Sequence, residues 1–154
     1  MTEVVDPTLA GDVVQVSVVS LELALALLAG VRDEAERQQV AMGAAVVDVG
    51  GQLVAATRMD GAQIIALPLA IDKAFTAVAC GRPTEAWAES TQPGGGDWGF
   101  STTVGGRIVV FAGGVPITVA GNVVGGLGVS GGPAAIDAAC ARAGLNAAGL
   151  TLPD

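Results

Sequence analysis

The stretch Gly43–Gly81 constrains the fold of this chain more than any other part of the sequence. Two short runs rich in valine and alanine flank Gly50-Gly51, a pattern that predicts a β-hairpin. The second run ends on Arg58–Asp60, just before a glycine turn signal. An apolar segment, Leu67–Gly81, follows and contains Lys73, the only lysine in the protein. The sequence therefore predicts a hairpin followed by a helix that carries a single cation.

Local signals predict further helices and strands on both sides of this stretch. Ser20 is a suitable N-cap for a first helix that runs to about Gln39, and Pro68 suits the first turn of the second helix. The last helix ends near Ala143, before a glycine. Five strands joined largely by hairpins favour an α+β fold with one antiparallel sheet. The predicted strands are Gly43–Val49, Gln52–Arg58, Arg107–Phe111, Ile117–Ala120 and Val123–Val129.

The length of 154 residues predicts one domain, which we place at residues 18–150. Residues 1–17 are expected to form an N-terminal arm, and residues 151–154 a C-terminal tail. Hydrophobic residues make up 51% of the chain and charged residues 14%, which predicts a compact protein that buries further surface in a homo-oligomer. The nearly all-apolar start of the first helix, Leu21–Val31, supports the same expectation.

The charge pattern argues against nucleic acid and anionic membranes as partners. The net charge is −8, and the basic residues are scattered singly along the chain. The apolar run in the first helix, Leu23–Val31, is too short to span a bilayer. The N-terminus shows no basic region typical of a signal peptide, so we expect a cytoplasmic protein. Cys80 and Cys140 are interpreted as small core residues in a reducing compartment.

Several motifs, taken in order, resemble the GlcG/HbpS family, which is also known as haem-degrading or DUF336-like and as the C-terminal domain of PduO-type proteins. They are VVDxGGxLV at Val46–Val54, RMDGA at Arg58–Ala62, AxxKAxTA at Ala70–Ala77, and a glycine-rich run at Val124–Gly131. The resemblance implies a profilin-like α-β-α layered fold with a central five-stranded antiparallel sheet. It also implies a small ligand, with haem or a similar tetrapyrrole suggested by the family name.

The absence of histidine and tyrosine limits the chemistry that is available to this chain. Histidine is the commonest general base, the commonest metal ligand and a usual axial ligand of haem iron. Its absence weakens the case for haem as a cofactor, and we predict no protein-bound metal site. Acid–base chemistry would have to use Asp, Glu, Lys73, cysteine or bound water.

The cluster around the hairpin supplies the first candidate site residues. Lys73 is either a buried amine or a cation for an anionic ligand, or else an ordinary side chain that reaches solvent beside Asp72. Arg58 and Asp60 point to the same side if the strand persists, and they either bind a ligand or close the hairpin as a salt bridge. Met59 is a soft iron ligand in one interpretation and a core residue in the other.

Later segments supply the remaining candidates. Ser130-Gly131, ahead of the last helix, is either an anion-binding nest or a strand-to-helix turn that needs glycine. Arg107 could provide a cation for a carboxylate. In the Gly94–Phe100 loop, Asp97 is a candidate acid or base and the aromatic residues Trp98 and Phe100 a candidate lid; the alternative is an oligomer contact.

These residues lead to one spatial prediction and three functional hypotheses. We expect Arg58, Asp60, Lys73 and Arg107 to line one pocket, with the Gly94–Phe100 loop at its mouth. The first hypothesis is a small-ligand-binding protein whose ligand is haem-like or a small organic anion. The second is a cofactor-independent isomerase, lyase or hydratase with Lys73, Asp60 and Asp97 as catalytic groups. The third is an accessory protein whose main role is assembly.

Overall fold

The computed structural model describes residue 11 and residues 13–152. It contains three α-helices and four β-strands, which confirms the α+β class. Most of the predicted N-terminal arm and the last two residues of the predicted tail lie outside the described residues. The elements in chain order are α1 (Leu21–Arg37), β1 (Gly43–Asp48), β2 (Leu53–Arg58), α2 (Ala66–Cys80), β3 (Gly114–Val119), β4 (Asn122–Ser130) and α3 (Ala134–Ala147).

The predicted helix boundaries rest on capping chemistry that the structure contains. The Ser20 hydroxyl accepts a hydrogen bond from the Leu23 N–H at 3.2 Å, so α1 begins where the sequence predicted. Gly81 has a φ of 66° at the end of α2, a left-handed conformation that glycine adopts without steric cost. Both helix boundaries therefore follow from single residues.

The four strands form one antiparallel sheet in the order β2-β1-β4-β3. Helix α2 covers one face, where Ala74 and Val78 pack against Val47 of β1. Helices α1 and α3 cover the opposite face, where Leu127 of β4 belongs to their shared core. The two faces present different residues because successive side chains along β1 and β4 point to opposite sides of the sheet. The predicted hairpins β1–β2 and β3–β4 are both present.

The prediction of a fifth strand at Arg107–Phe111 is wrong. Two threonine side chains form hydrogen bonds with the backbone of this segment, in the place of a neighbouring strand. The hydroxyl of Thr76 on α2 accepts from the Val109 N–H at 3.0 Å, and its one proton is shared between the Asp72 carbonyl at 2.8 Å and the Arg107 carbonyl at 3.3 Å. The hydroxyl of Thr84 donates to the Phe111 carbonyl at 2.6 Å and accepts from the Gly114 N–H at 3.0 Å. The five-stranded, profilin-like arrangement is therefore not confirmed.

The two cysteines differ in their surroundings. Cys140 is buried in the core between α1, α3 and the sheet, and Cys80 is only partly buried at the end of α2. Both thiols are free. Burial raises the pKa of Cys140 to about 11 and also raises the pKa of Cys80, so both thiols stay protonated at neutral pH. Among the described helices, none combines the length and the apolar character needed to cross a bilayer.

Candidate functional site

Lys73 lies inside the protein. Its side chain is 0% exposed, and its ammonium donates to Asp137 Oδ2 at 2.7 Å and to the Val129 carbonyl at 3.0 Å. The ring of Phe111 lies 5.1 Å from Nζ and covers the cation. Lys73 therefore connects α2, on one face of the sheet, to α3, on the other.

Asp137, the partner of Lys73, was not found by sequence reasoning. It lies in the first turn of α3, where an isolated acid is also explained by the helix dipole, so its position carried no specific signal. Its Oδ1 accepts a hydrogen bond from the Gly132 N–H at 3.0 Å, so one carboxylate oxygen binds the backbone and the other binds Lys73. Burial raises the pKa of Asp137 and lowers the pKa of Lys73, while each partner counteracts the shift of the other.

The predicted nest at Ser130-Gly131 leads into this same ion pair. Ser130 is buried, and the N–H group of the following Gly132 is bonded to the carboxylate of Asp137. A Cβ on Gly131 would meet the Ala41 carbonyl oxygen at 2.6 Å, so the turn requires glycine for packing. The carboxylate of Asp137 thus takes a position that an external anion would need.

Arg58, Met59 and Asp60 line a separate cavity of about 370 Å³, together with Arg32 and Glu36 of α1. The sulfur of Met59 also packs against the core and accepts from the Met42 N–H at 3.4 Å.

Arg107 has different neighbours from Arg58. Its Nε binds Asp72 Oδ1 at 3.0 Å, and its guanidinium carbon lies 3.8 Å from the centre of the Phe75 ring. The prediction that Arg58, Asp60, Lys73 and Arg107 line one pocket is therefore wrong. The physical reason is that Lys73 reaches through the fold to α3, while Arg107 is held against α2.

Asp97 lines a cavity of about 480 Å³ in the long connection between α2 and β3. The other lining residues are Arg82, Ala86, Glu89, Ser90 and Gly95. The loop is held by its own backbone, since the Asp97 N–H donates to the Ser90 carbonyl at 3.0 Å. Of the predicted lid residues, Trp98 is 65% exposed, and Phe100 packs against Trp87 with ring centres 4.6 Å apart and ring planes tilted by 49°.

Arg82 is the functional candidate that the sequence reasoning missed. Its guanidinium carbon lies 3.4 Å from the centre of the Trp87 ring, which holds the cation at the wall of the cavity. The opposite charges come from Glu89 and Asp97, and Ser90 adds a hydroxyl group. Such a set can bind a small polar molecule that carries both a carboxylate and a hydrogen-bond donor.

The three predicted catalytic residues occupy three different places. Lys73 is buried, Asp60 lines the cavity beside α1, and Asp97 lines the cavity of the long loop. Among the described residues, no three His, Cys, Asp or Glu side chains lie close enough together to hold a metal ion. The structure therefore contains a cavity lined by Arg82 and a buried ion pair at Lys73.

Comparisons with known proteins all point to the same family. The family model described as "Haem degrading protein HbpS-like" matches residues 19–146. An uncharacterized 15.0 kDa protein in the dhaT-dhaS intergenic region of Citrobacter freundii is 33% identical over 132 residues, covering 86% of this chain and 93% of that protein. The crystal structure of Klebsiella pneumoniae protein ORFY has a TM-score of 0.87 and 29% identity, covering 96% of this chain and 98% of that one. The crystal structure of a PduOC:heme complex has a TM-score of 0.82 and 31% identity, covering 84% and 94%.

Proposed function

Since the chain belongs to the HbpS-like family, as its motifs indicated, we propose that it is a cytoplasmic protein that binds a small organic ligand in the Arg82 cavity. The related PduOC domain was crystallised with heme, a small molecule with carboxylate groups. The observation that carries the proposal is the stacking of Arg82 on Trp87 at the wall of a cavity of about 480 Å³. A cavity of this size holds a small metabolite.

The charges of the cavity point to the class of ligand. Arg82 presents donors that match a carboxylate, and the Trp87 ring restricts the guanidinium to few orientations. Glu89 and Asp97 are acceptors for an ammonium or hydroxyl group on the same ligand. A small organic acid with a hydroxyl or amino substituent can bind Arg82 through its carboxylate and Glu89 or Asp97 through the substituent. A simple anion without such a donor would be repelled by the two carboxylates.

The donor atoms of this chain do not fit a haem group held by an axial protein ligand. The sequence has no histidine and no tyrosine. Both cysteine thiols have a raised pKa, so neither is a ready thiolate. The Met59 sulfur already accepts a backbone hydrogen bond and packs against the core. We therefore propose an organic anion as the ligand in preference to coordinated haem.

Replacing Arg82 with alanine should weaken binding of a small hydroxy or amino acid by about 10- to 100-fold, because one charge-assisted contact of about 1.5–3 kcal/mol is lost. Isothermal titration calorimetry with acetate, lactate and serine measures this effect. Lactate and serine should bind more tightly than acetate, because only they offer a donor to Asp97 or Glu89.

Arg32→Ala is the matched control, since Arg32 lines the other cavity and should leave the affinity unchanged. The proposed function fails if none of the three acids binds the wild-type protein with a Kd below about 10 mM. It also fails if Arg32→Ala weakens binding as much as Arg82→Ala does.

A haem titration should give weak binding without a sharp six-coordinate Soret spectrum, because the chain lacks a strong axial ligand. Absorption spectroscopy on the wild type and on Met59→Leu measures this, and the two titrations should coincide. Sub-micromolar affinity with a sharp six-coordinate spectrum would contradict the prediction. Loss of that spectrum in Met59→Leu would then identify Met59 as an iron ligand.

A further inference from the structure

The end of β2 and the following turn line a cavity of about 370 Å³, which is separate from the Arg82 cavity. Arg58, Met59 and Asp60 contribute from this side, and Arg32 and Glu36 contribute from α1. Each of the two elements therefore supplies one guanidinium group and one carboxylate. Met59 is the single apolar residue of the lining. The cavity is thus built around two cations that come from different elements of the fold.

Neither guanidinium group of this cavity has a close carboxylate partner. Within the part of the chain that the structure describes, Arg58 forms no ion pair, either with Asp60 or with another acid. A salt bridge that closes the hairpin was one interpretation of Arg58 and Asp60, and it is not formed. The acids beside Arg32 lie 3.5 and 3.7 Å from its nitrogens, which is beyond the usual length of a hydrogen bond.

The other basic side chains of the protein are already held by their neighbours. One of them, Arg82, stacks on a tryptophan ring. The others bind a carboxylate at 2.6–3.0 Å, and they are Arg37, Lys73, Arg107 and Arg142. The two guanidinium groups that lack a close partner among the described residues therefore line the same cavity, on a chain with a net charge of −8. Guanidinium groups that converge with donors to spare are typical of sites for anionic ligands.

The backbone that carries Arg58 and Asp60 is fixed by hydrogen bonds on both sides of Met59. The Met59 N–H donates to the Met42 carbonyl at 2.9 Å, and the Met42 N–H donates to the Met59 sulfur at 3.4 Å. In the turn that follows, the Ala62 N–H donates to the Met59 carbonyl at 3.1 Å. Because this segment is already ordered, a ligand would not have to order its backbone on binding.

We propose that this cavity binds a short dicarboxylate, with one carboxylate at Arg32, the other at Arg58 and the hydrocarbon chain against Met59. A guanidinium group presents paired N–H donors that match a carboxylate. The acids Glu36 and Asp60 repel a ligand with one carboxylate, such as lactate, so a favourable ligand has to reach both arginines. A phosphate ion has no apolar part for Met59. This proposal goes beyond the Arg82 cavity and does not depend on its ligand.

Isothermal titration calorimetry of the full-length chain with succinate, acetate and inorganic phosphate tests the proposal, in a buffer of about 50 mM ionic strength, where screening is weak. Succinate should bind at least about 10-fold more tightly than acetate, because only succinate gains a second charge-assisted contact. Arg32→Gln and Arg58→Gln should each weaken succinate binding about 10-fold, because each removes one of the two contacts. Circular dichroism melts verify that the variants are folded.

Arg37→Gln is the matched control, because Arg37 also lies on α1, loses the same charge and binds Glu34 outside the cavity. It should keep the wild-type affinity for succinate. The proposal is overturned if succinate binds no more tightly than acetate, or if Arg37→Gln weakens its binding as much as Arg58→Gln does. Tighter binding of phosphate than of succinate overturns the dicarboxylate as the ligand class.

A succinate affinity that is lost in Arg82→Gln and kept in both cavity variants would place the dicarboxylate in the Arg82 cavity, and it would overturn the proposal as well. The proposed function is tested separately, since it concerns lactate and serine and depends on Arg82. Failure of succinate to bind therefore leaves the function of the Arg82 cavity standing, and loss of lactate binding leaves the dicarboxylate site standing.

Discussion

Replacing Lys73 with methionine should lower the free energy of unfolding by about 3–5 kcal/mol, the usual cost of leaving one half of a buried ion pair without its partner. The Asp137 side chain is only 3% exposed, so its carboxylate has no water to replace the ammonium that it binds at 2.7 Å. The Val129 carbonyl would lose its donor at the same time. For a domain of this size the melting temperature should fall by roughly 6–20 °C.

The double variant Lys73→Met with Asp137→Leu should lose less stability than the sum of the two single changes, because it removes both charges together. Arg142→Ala is the matched control, since it breaks an ion pair with Glu85 whose side chains are 50% and 38% exposed. That control should cost no more than about 1 kcal/mol. Urea denaturation measures all four variants. A loss below 1 kcal/mol for Lys73→Met, or strictly additive losses, would show that the pair does not connect the layers as described.

The Lys73 pair also marks the limit of what the sequence predicted about the site. The sole lysine in an apolar helix was singled out as unusual, and a buried amine was one of its three interpretations. Its partner lies 64 residues further along the chain, and nothing near Asp137 indicates the contact. Pairing of this kind depends on how α2 and α3 pack on opposite faces of the sheet, which no local pattern contains.

The long connection between α2 and β3 illustrates the same limit for the fold. A run such as Arg107–Phe111 has strong β propensity. In the fold, however, the side chains of Thr76 and Thr84 occupy the backbone groups that a neighbouring strand would otherwise bind. In contrast, the hairpins, the start of α1 and the end of α2 depend on nearby residues such as Ser20 and Gly81, and these were predicted correctly. The predicted end of the last helix near Ala143 was wrong, because α3 continues to Ala147. The sequence located Asp97 in an irregular loop, but not the Arg82 that faces the same cavity.

Glycines in β4 explain how α2 lies so close to the sheet. A strand interior with Gly125, Gly126 and Gly128 is intrinsically weak, because glycine gains no side-chain packing and loses more backbone entropy than other residues. Here the absence of side chains lets the backbone of α2 approach the sheet directly. A Cβ on Gly126 would overlap the Ala74 carbonyl oxygen, and one on Gly128 would overlap that of Ala70.

Gly128→Ala should therefore destabilise the protein by about 3 kcal/mol or more, at or above the upper end of the usual cost of overpacking. The added methyl group meets helix backbone, which cannot change rotamer, so α2 would have to move as a unit away from β4. That movement would also disturb Lys73, which α2 carries to Asp137. Urea denaturation should give a lower midpoint, and accumulation of the variant in the insoluble fraction on expression would agree with the same effect.

Gly96→Ala is the matched control for this change, because a Cβ at Gly96 meets no atom within 4 Å and its backbone does not require a positive φ. It should be neutral or slightly stabilising, since alanine restricts the unfolded chain more than glycine does. If Gly128→Ala unfolds at the wild-type urea concentration, the sheet can accommodate a side chain beneath α2. The close approach of helix and strand would then not be a requirement of the fold, and the glycines of β4 would need another explanation.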